Sequence, residues 1–205
     1  GRHAFALMRP PGHHCTRSQA MGFCYLNQIA IAALRAASGH RVAVWDFDAH
    51  HGNGTESIFH AHPSASHLFF ASVHQHPGYP GTGIHDLGPR LRNWPVAPHT
   101  PRAAHLAALR ASLDAVVAWQ PDLILVSAGF DAYARDPITA LTLERDDFAT
   151  LGRWLAEIRV HHAIPAAAVL ARRRCCCRGQ RGSRCCPRAP LLCRRRRRRR
   201  RRCRR

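Results

Sequence analysis

The sequence contains no lysine, and the first 170 residues hold only two of its nine cysteines, Cys15 and Cys24. Two isolated thiols exclude a disulfide framework and suit a reducing compartment. The seven later cysteines (Cys175, Cys176, Cys177, Cys185, Cys186, Cys193 and Cys203) lack the C-x₂-C spacing of a zinc site. No apolar run reaches the roughly 18 residues needed to span a bilayer. No charged start followed by an apolar stretch and cleavage site marks a secretory leader. These absences predict a soluble, cytoplasmic protein without a membrane partner, or a nuclear one in a eukaryote.

Acidic residues are missing from one end. All 12 lie before residue 171, against 13 arginines in the same stretch, so residues 1–170 carry +1. The last 35 residues carry 18 arginines and no acid. The chain reads as a near-neutral globular body followed by a polyarginine tail. Residues 161–205 are expected to form no core and to be disordered. A GC-rich coding sequence favours Ala, Arg, Gly and Pro over Lys, which points to a bacterial source. Such a sequence read out of frame yields Arg, Pro and Cys runs, so a frameshift near residue 160 is expected. Ala4-Phe5-Ala6-Leu7-Met8 reads as a strand already under way, as though the domain were also cut short at its start.

Three further stretches read as buried strands: residues 41–47, 67–73 and 122–127. Each is almost continuously apolar, as in a parallel sheet covered on both faces. Helical patterns lie between them. Leu106, Leu109, Leu113, Val116 and Val117 share one face, as do Phe148, Leu151, Leu155 and Ile158. Residues 20–37 are expected to form a helix that stops at Ser38-Gly39. Strand alternating with helix predicts an α/β fold with a mainly parallel sheet, whose ligands gather at the carboxyl ends of the strands.

The strongest local signal stands at such an end: Asp46-Phe47-Asp48-Ala49-His50-His51-Gly52-Asn53-Gly54. Strand alternation puts Asp46, Asp48 and His50 on one face. Crowded carboxylates and an imidazole lose hydration, and a cation offsets that cost. Oxygen and nitrogen ligands two residues apart suit a borderline ion such as zinc; an exposed polar loop is the alternative. Asp131, after the third strand, either completes a three-ligand site or caps a turn. In Arg9-Pro10-Pro11-Gly12-His13-His14, paired imidazoles near neutral pKa suit proton transfer, and a solvated loop is the alternative.

Together these segments resemble the histone deacetylase family, including bacterial members and acetylpolyamine amidohydrolases. The matching stretches also include residues 22–27, 72–77, 79–83 and 127–137, and the resemblance covers residues 4–159. It implies a three-layer arginase/deacetylase-like fold, incomplete here, with a partial catalytic domain over residues 1–160. It implies zinc held by Asp48, His50 and Asp131. His14 falls on the family's general base and His13 on its partner. Asp46 is expected to pair with His13, and Asn53, similar to the class II branch, with His14. Gly22 belongs to the matching substrate segment, and Phe23 and Tyr79 fall on the walls of the substrate tunnel. The backbone near Asp46, Asp48, His50, Ser72 and Val73 resembles a potassium site. The implied reaction is removal of acetyl or other acyl groups from lysine side chains of proteins or from polyamines.

The resemblance departs at one point. A glycine-rich segment with an oxyanion-binding tyrosine is expected soon after residue 160, and none of Tyr25, Tyr79 and Tyr133 stands in such a motif. Losing one oxyanion donor typically costs roughly 10²–10³ in rate. Two other readings fit parts of the sequence. A dimanganese ureohydrolase shares an Asp-x-His motif but needs further carboxylates, where this chain has Asn53. A catalytically dead domain could bind nucleic acid through its arginine tail, with steep salt dependence.

Overall fold

A computed structural model of the protein describes residues 4–63 and 65–171. Six strands form one sheet: β1 (Ala4–Met8), β2 (Val42–Asp46), β3 (Leu68–Gln75), β4 (Leu91–Val96), β5 (Leu123–Ala128) and β6 (Ala166–Ala171). Their order is β1-β6-β5-β2-β3-β4, and every pairing is parallel. Four helices connect them: α1 (Gln28–Ala36), α2 (Asn53–His60), α3 (Arg102–Ala118) and α4 (Arg145–His162). The expected α/β class with a mainly parallel sheet is what the chain forms.

A parallel sheet needs cover on both faces, and β2 shows how the sequence supplies it. All five of its residues are buried. Val42 and Val44 point into a core with Ile29, Ala30 and Ala33 of α1 and Ile58 and Phe59 of α2. Ala43 and Trp45 point the other way, into a core with Leu109, Leu113 and Val116 of α3 and Leu151 and Ile158 of α4. Trp45 brings a polar atom into that core, and its indole N–H donates to Ser112 Oγ at 2.9 Å. Three layers result, with apolar cores on either side of the sheet.

Two expectations are corrected. The helix predicted over residues 20–37 begins only at Gln28, where the Asn27 side chain accepts from the Ala30 N–H at 3.0 Å. Upstream, Gly22 and Phe23 have φ of +55° and +65°, which no right-handed helix admits. The break expected at residue 160 also falls inside an element. α4 runs on to His162, Ala163 turns the chain in a left-handed conformation, and Ala166–Ala171 then enter the sheet between β1 and β5. An alanine-rich segment carries little strand signal of its own; a slot with a partner on each side supplies what propensity does not. The arginine- and cysteine-rich residues 172–205 lie outside the described residues.

The topology fixes where a ligand can bind. From β2 the chain proceeds to β3 on one side, whereas β5, on the other side, leads away to β6. The carboxyl ends of β2 and β5 therefore flank a switch point, where loops diverge and leave a crevice.

Candidate active site

β2 and β5 are in register with Asp46 opposite Ser127, and the Phe47 N–H continues the ladder to Ser127 O at 3.2 Å. Asp48 and His50 follow β2 directly, and Asp131 lies three residues past the end of β5. The pairing thus delivers side chains from two distant segments to one point. One ligand atom from each of Asp48, His50 and Asp131 lies within 4.8 Å of the others. His50 Nδ1 is 3.1 Å from Asp48 Oδ1 and 2.8 Å from Asp131 Oδ2. The second Asp131 oxygen accepts from the Ala49 N–H at 2.9 Å, which ties the β5 loop to the β2 loop.

Such crowding has electrostatic consequences. Burial alone would lower the His50 pKa, but its hydrogen bonds to Asp131 and Asp48 and their charges outweigh this and raise it to about 10. Burial and the neighbouring Asp48 charge push the Asp131 carboxyl up. Burial would push Asp48 up too, but the His13 charge and the His50 contacts hold it well below the usual carboxylate range. Two carboxylates converging on one imidazole nitrogen form a site that attracts positive charge. The mixed oxygen and nitrogen donors and near-complete burial fit a borderline divalent cation.

The paired histidines stand beside this cluster. Their rings are 4.0 Å apart and both are buried. His13 Nδ1 lies 2.9 Å from Asp46 Oδ2. Burial opposes a charge on His13, but Asp46 and Asp48 outweigh it and raise its pKa to about 9. His14 has the opposite environment: burial first and the His13 charge second lower its pKa to about 3. His14 Nδ1 lies 2.8 Å from Asn53 Oδ1, and its Nε2 is buried without a hydrogen-bond partner. Since Asn53 Oδ1 only accepts, the proton of neutral His14 sits on Nδ1. The bare Nε2 lone pair is then free to take a proton. A cationic imidazole and a neutral one, in contact, are kept distinct by their partners.

The predicted site residues converge in part. His13, His14, Asp46, Asp48, His50, Asn53 and Asp131 form one cluster, but Asp46 serves His13 and is not among the three ligand candidates. Asn53 serves His14. Tyr79 stands edge-on to His14, with ring centroids 5.0 Å apart, and also faces His50 at 6.3 Å. Gly22 packs against His14: a Cβ there would lie 2.2 Å from the ring carbon Cδ2, so only glycine lets the backbone pass. Phe23 follows it and is 66 % exposed.

One participant has no motif to announce it. The Asn53 amide donates to Met21 Sδ at 3.4 Å. A thioether accepts and does not donate, so it fixes which end of the amide faces His14. Its only sequence signal was its place just before the Gly22-Phe23-Cys24 stretch.

Comparison with known proteins agrees with this geometry. Residues 1–171 match the profile of the Histone deacetylase domain. A chloroplastic protein of Oryza sativa subsp. japonica named histone deacetylase 10 is 42 % identical over 168 residues, which are 75 % of this chain and 36 % of that protein. The histone deacetylase-like amidohydrolase of Pseudomonas aeruginosa is 39 % identical over 173 residues, 78 % of this chain and 44 % of the relative. The crystal structure of acetylpolyamine aminohydrolase from Burkholderia pseudomallei superposes with a TM-score of 0.74 at 35 % identity, covering 82 % of this chain and 50 % of that one. The chain thus spans between about a third and a half of these relatives. With the profile matched across the whole described sheet and the paired histidines set beside an Asp/His/Asp cluster, the chain belongs to the histone deacetylase family.

Proposed function

We propose that this chain carries the metal-binding and proton-transfer half of a zinc-dependent amide hydrolase, which removes acetyl or related acyl groups from lysine side chains or polyamines. The observation that supports it most is the orphaned Nε2 of His14, buried beside the Asp48, His50 and Asp131 cluster. A buried acceptor without a partner is costly unless a ligand completes it.

Bound by Asp48, His50 and Asp131, zinc would polarise the acyl carbonyl and lower the pKa of a water molecule. His14 Nε2 takes the proton from the attacking water and returns it to the leaving amine. Asn53, held by Met21, keeps the other ring nitrogen protonated through both transfers. His13, kept cationic by Asp46, places positive charge near the developing oxyanion. Tyr79, with Phe23 and Gly22, flanks the aliphatic stem of the substrate. A potassium ion is proposed at the backbone of Asp46, Asp48, His50, Ser72 and Val73; the pairing of Asp46 with Ser72 brings these segments side by side. The arginines of residues 172–205 lie outside the described residues, and the non-specific phosphate binding expected of them is a separate property.

The test is hydrolysis of an acetyl-lysine peptide and of an N-acetylated polyamine, with and without zinc, and with His14→Ala. The expected result is turnover that chelation abolishes and zinc restores. His14→Ala should lose at least about 10²-fold while retaining zinc, since general-base catalysis contributes about 10²–10⁴. Near wild-type turnover in His14→Ala would refute the assignment of the base. Chelator-resistant turnover would refute the metal.

A further inference from the structure

A second pair of buried histidines lies on the far side of the ligand loop. His51 and His74 are both fully buried, and their rings are 4.6 Å apart. Neither belongs to the ligand cluster or the His13/His14 pair. His74 Nε2 is 3.0 Å from the carbonyl oxygen of Gly83, and His51 Nδ1 is 2.8 Å from Thr82 Oγ1. Both contacts reach the loop between β3 and β4, a few residues beyond Tyr79.

We propose that the His51/His74 pair is a clamp that positions Tyr79 over the active site by seating Thr82-Gly83 directly on its two rings. This rests on the reading of Tyr79 as a wall of the substrate site.

The loop needs such a device. Apart from Gly83, residues 81–89 are exposed, so apolar burial supplies little to hold it. Its far half is pinned from β4: the Asn93 side chain donates to His85 O at 3.0 Å and the Asn93 N–H to Asp86 Oδ1 at 2.7 Å. The half that carries Tyr79 is tied within itself, Gly81 N–H to Gly78 O at 2.8 Å; before Tyr79 it is held by Gln75 Nε2 donating to Pro77 O at 3.2 Å and His76 N–H to Val96 O at 2.8 Å, and beyond Tyr79 by the two imidazoles. Gly83 shows how close the seat is. Its φ is +82°, and a Cβ would lie 2.5 Å from His74 Nε2 and 2.7 Å from the His51 ring. The loop backbone rests on the rings with no room for a side chain.

The directions of the hydrogen bonds follow. A carbonyl only accepts, so His74 Nε2 donates to Gly83, and the bare Nδ1 accepts from the Ser72 hydroxyl, 2.9 Å away. Burial, with the His51 charge second, lowers the His74 pKa to about 3, which keeps this neutral arrangement in place. On His51, Nε2 is buried 3.5 Å from the Glu56 carboxylate without a hydrogen bond, and Nδ1 pairs with the Thr82 hydroxyl, which can either donate or accept. Both anchors grow from strands that build the catalytic cluster, since His51 follows ligand candidate His50 and His74 lies on β3, paired with β2. The clamp thus refers the position of Tyr79 to the same frame as the metal ligands.

The test uses the whole chain. It has three tyrosines, so 3-fluorotyrosine labelling gives three ¹⁹F lines, and Tyr79→Phe identifies one of them. Thr82→Val keeps shape and removes only the hydroxyl contact, at an exposed position; His74→Phe keeps an aromatic ring and removes both its bonds. Either variant should shift or broaden the Tyr79 line beyond its wild-type width and leave the Tyr133 line in place. Where the chain turns over substrate, Thr82→Val should raise KM several-fold, roughly three- to tenfold, with kcat within about twofold, as loss of uniform binding does. A Tyr79 line unmoved in Thr82→Val overturns the proposal, whether or not His74→Phe folds. Absence of turnover in the wild type would sink the hydrolase reading alone, because the ¹⁹F result stands without it.

Discussion

A cation entering between Asp48 and Asp131 competes with a proton. Coordination needs a neutral imidazole, yet the two carboxylates hold the His50 pKa up at about 10. Metal binding at neutral pH should therefore release close to one proton from His50, and affinity should rise with pH until about pH 10. Calorimetry in two buffers of different ionisation enthalpy reads the proton directly, and a buffer-independent heat would contradict it. The same residue shows what the sequence could and could not disclose. Asp48 and His50 are two apart after an apolar strand, so their convergence follows from local geometry. Asp131 joins them only through the β2–β5 register, and the spacing alone left a turn aspartate open. The roles of Met21, His51 and His74 are not legible in the sequence, because they depend on contacts across loops: thioether to amide, ring to ring, ring to carbonyl.

Among the helices, α3 and α4 meet at a buried imidazole. His105 is 1 % exposed, and burial lowers its pKa to about 4 against the pull of nearby Asp147. That carboxylate is engaged at the start of α4, accepting two bonds from Arg102 at 2.6 and 2.8 Å and one from the Glu144 N–H at 2.8 Å. Below its unfolded pKa near 6.5, His105 gains a proton more readily unfolded than folded. Its contribution is thus complete above that pH and is lost as pH falls toward 4. His14 and His74 act with the same sign. His105→Gln should lessen the destabilisation between pH 7 and pH 5, by about 2 kcal/mol from this one group. Urea melts at both pH values read the difference, and parallel shifts in the two proteins would contradict it. The faces of α3 and α4 were legible from apolar spacing, though His105 and Ser112 also turned inward on α3. The start of α1 is not legible in the sequence, because Ala-rich periodicity does not reveal the left-handed turn at Gly22-Phe23. β6 is not legible in the sequence, because its strand character comes from its neighbours in the sheet.

At the scale of the molecule, β1 forms one border of the sheet, and among the described residues its only strand partner is β6. All five of its residues are exposed, with Phe5 at 57 %, Leu7 at 74 % and Met8 at 37 %, and the strand carries no charge. Natural edges are usually blunted by charge, proline or a bulge, and this one is not. Leu7→Lys should lower self-association of the purified chain at a given concentration. Light scattering checks this, and equal scattering from both proteins would mean that the edge is not the sticky surface. The parallel architecture was legible because its central strands are apolar along their whole length.

The amide and carboxylate that join the two ligand loops, Ala49 N–H and Asp131, are 82 residues apart along the chain. Between them along the chain lie α2, β3, β4 and α3, so β5 reaches β2 only across a long stretch of sequence. Parallel pairing over such a separation incurs its loop-closure entropy before any contact offsets it, and it is slow. A nascent or half-folded chain would therefore present Asp48 and His50 without their third partner, and hold a divalent ion only weakly. The rate at which tight metal affinity appears during refolding then serves as a clock for the docking of β5.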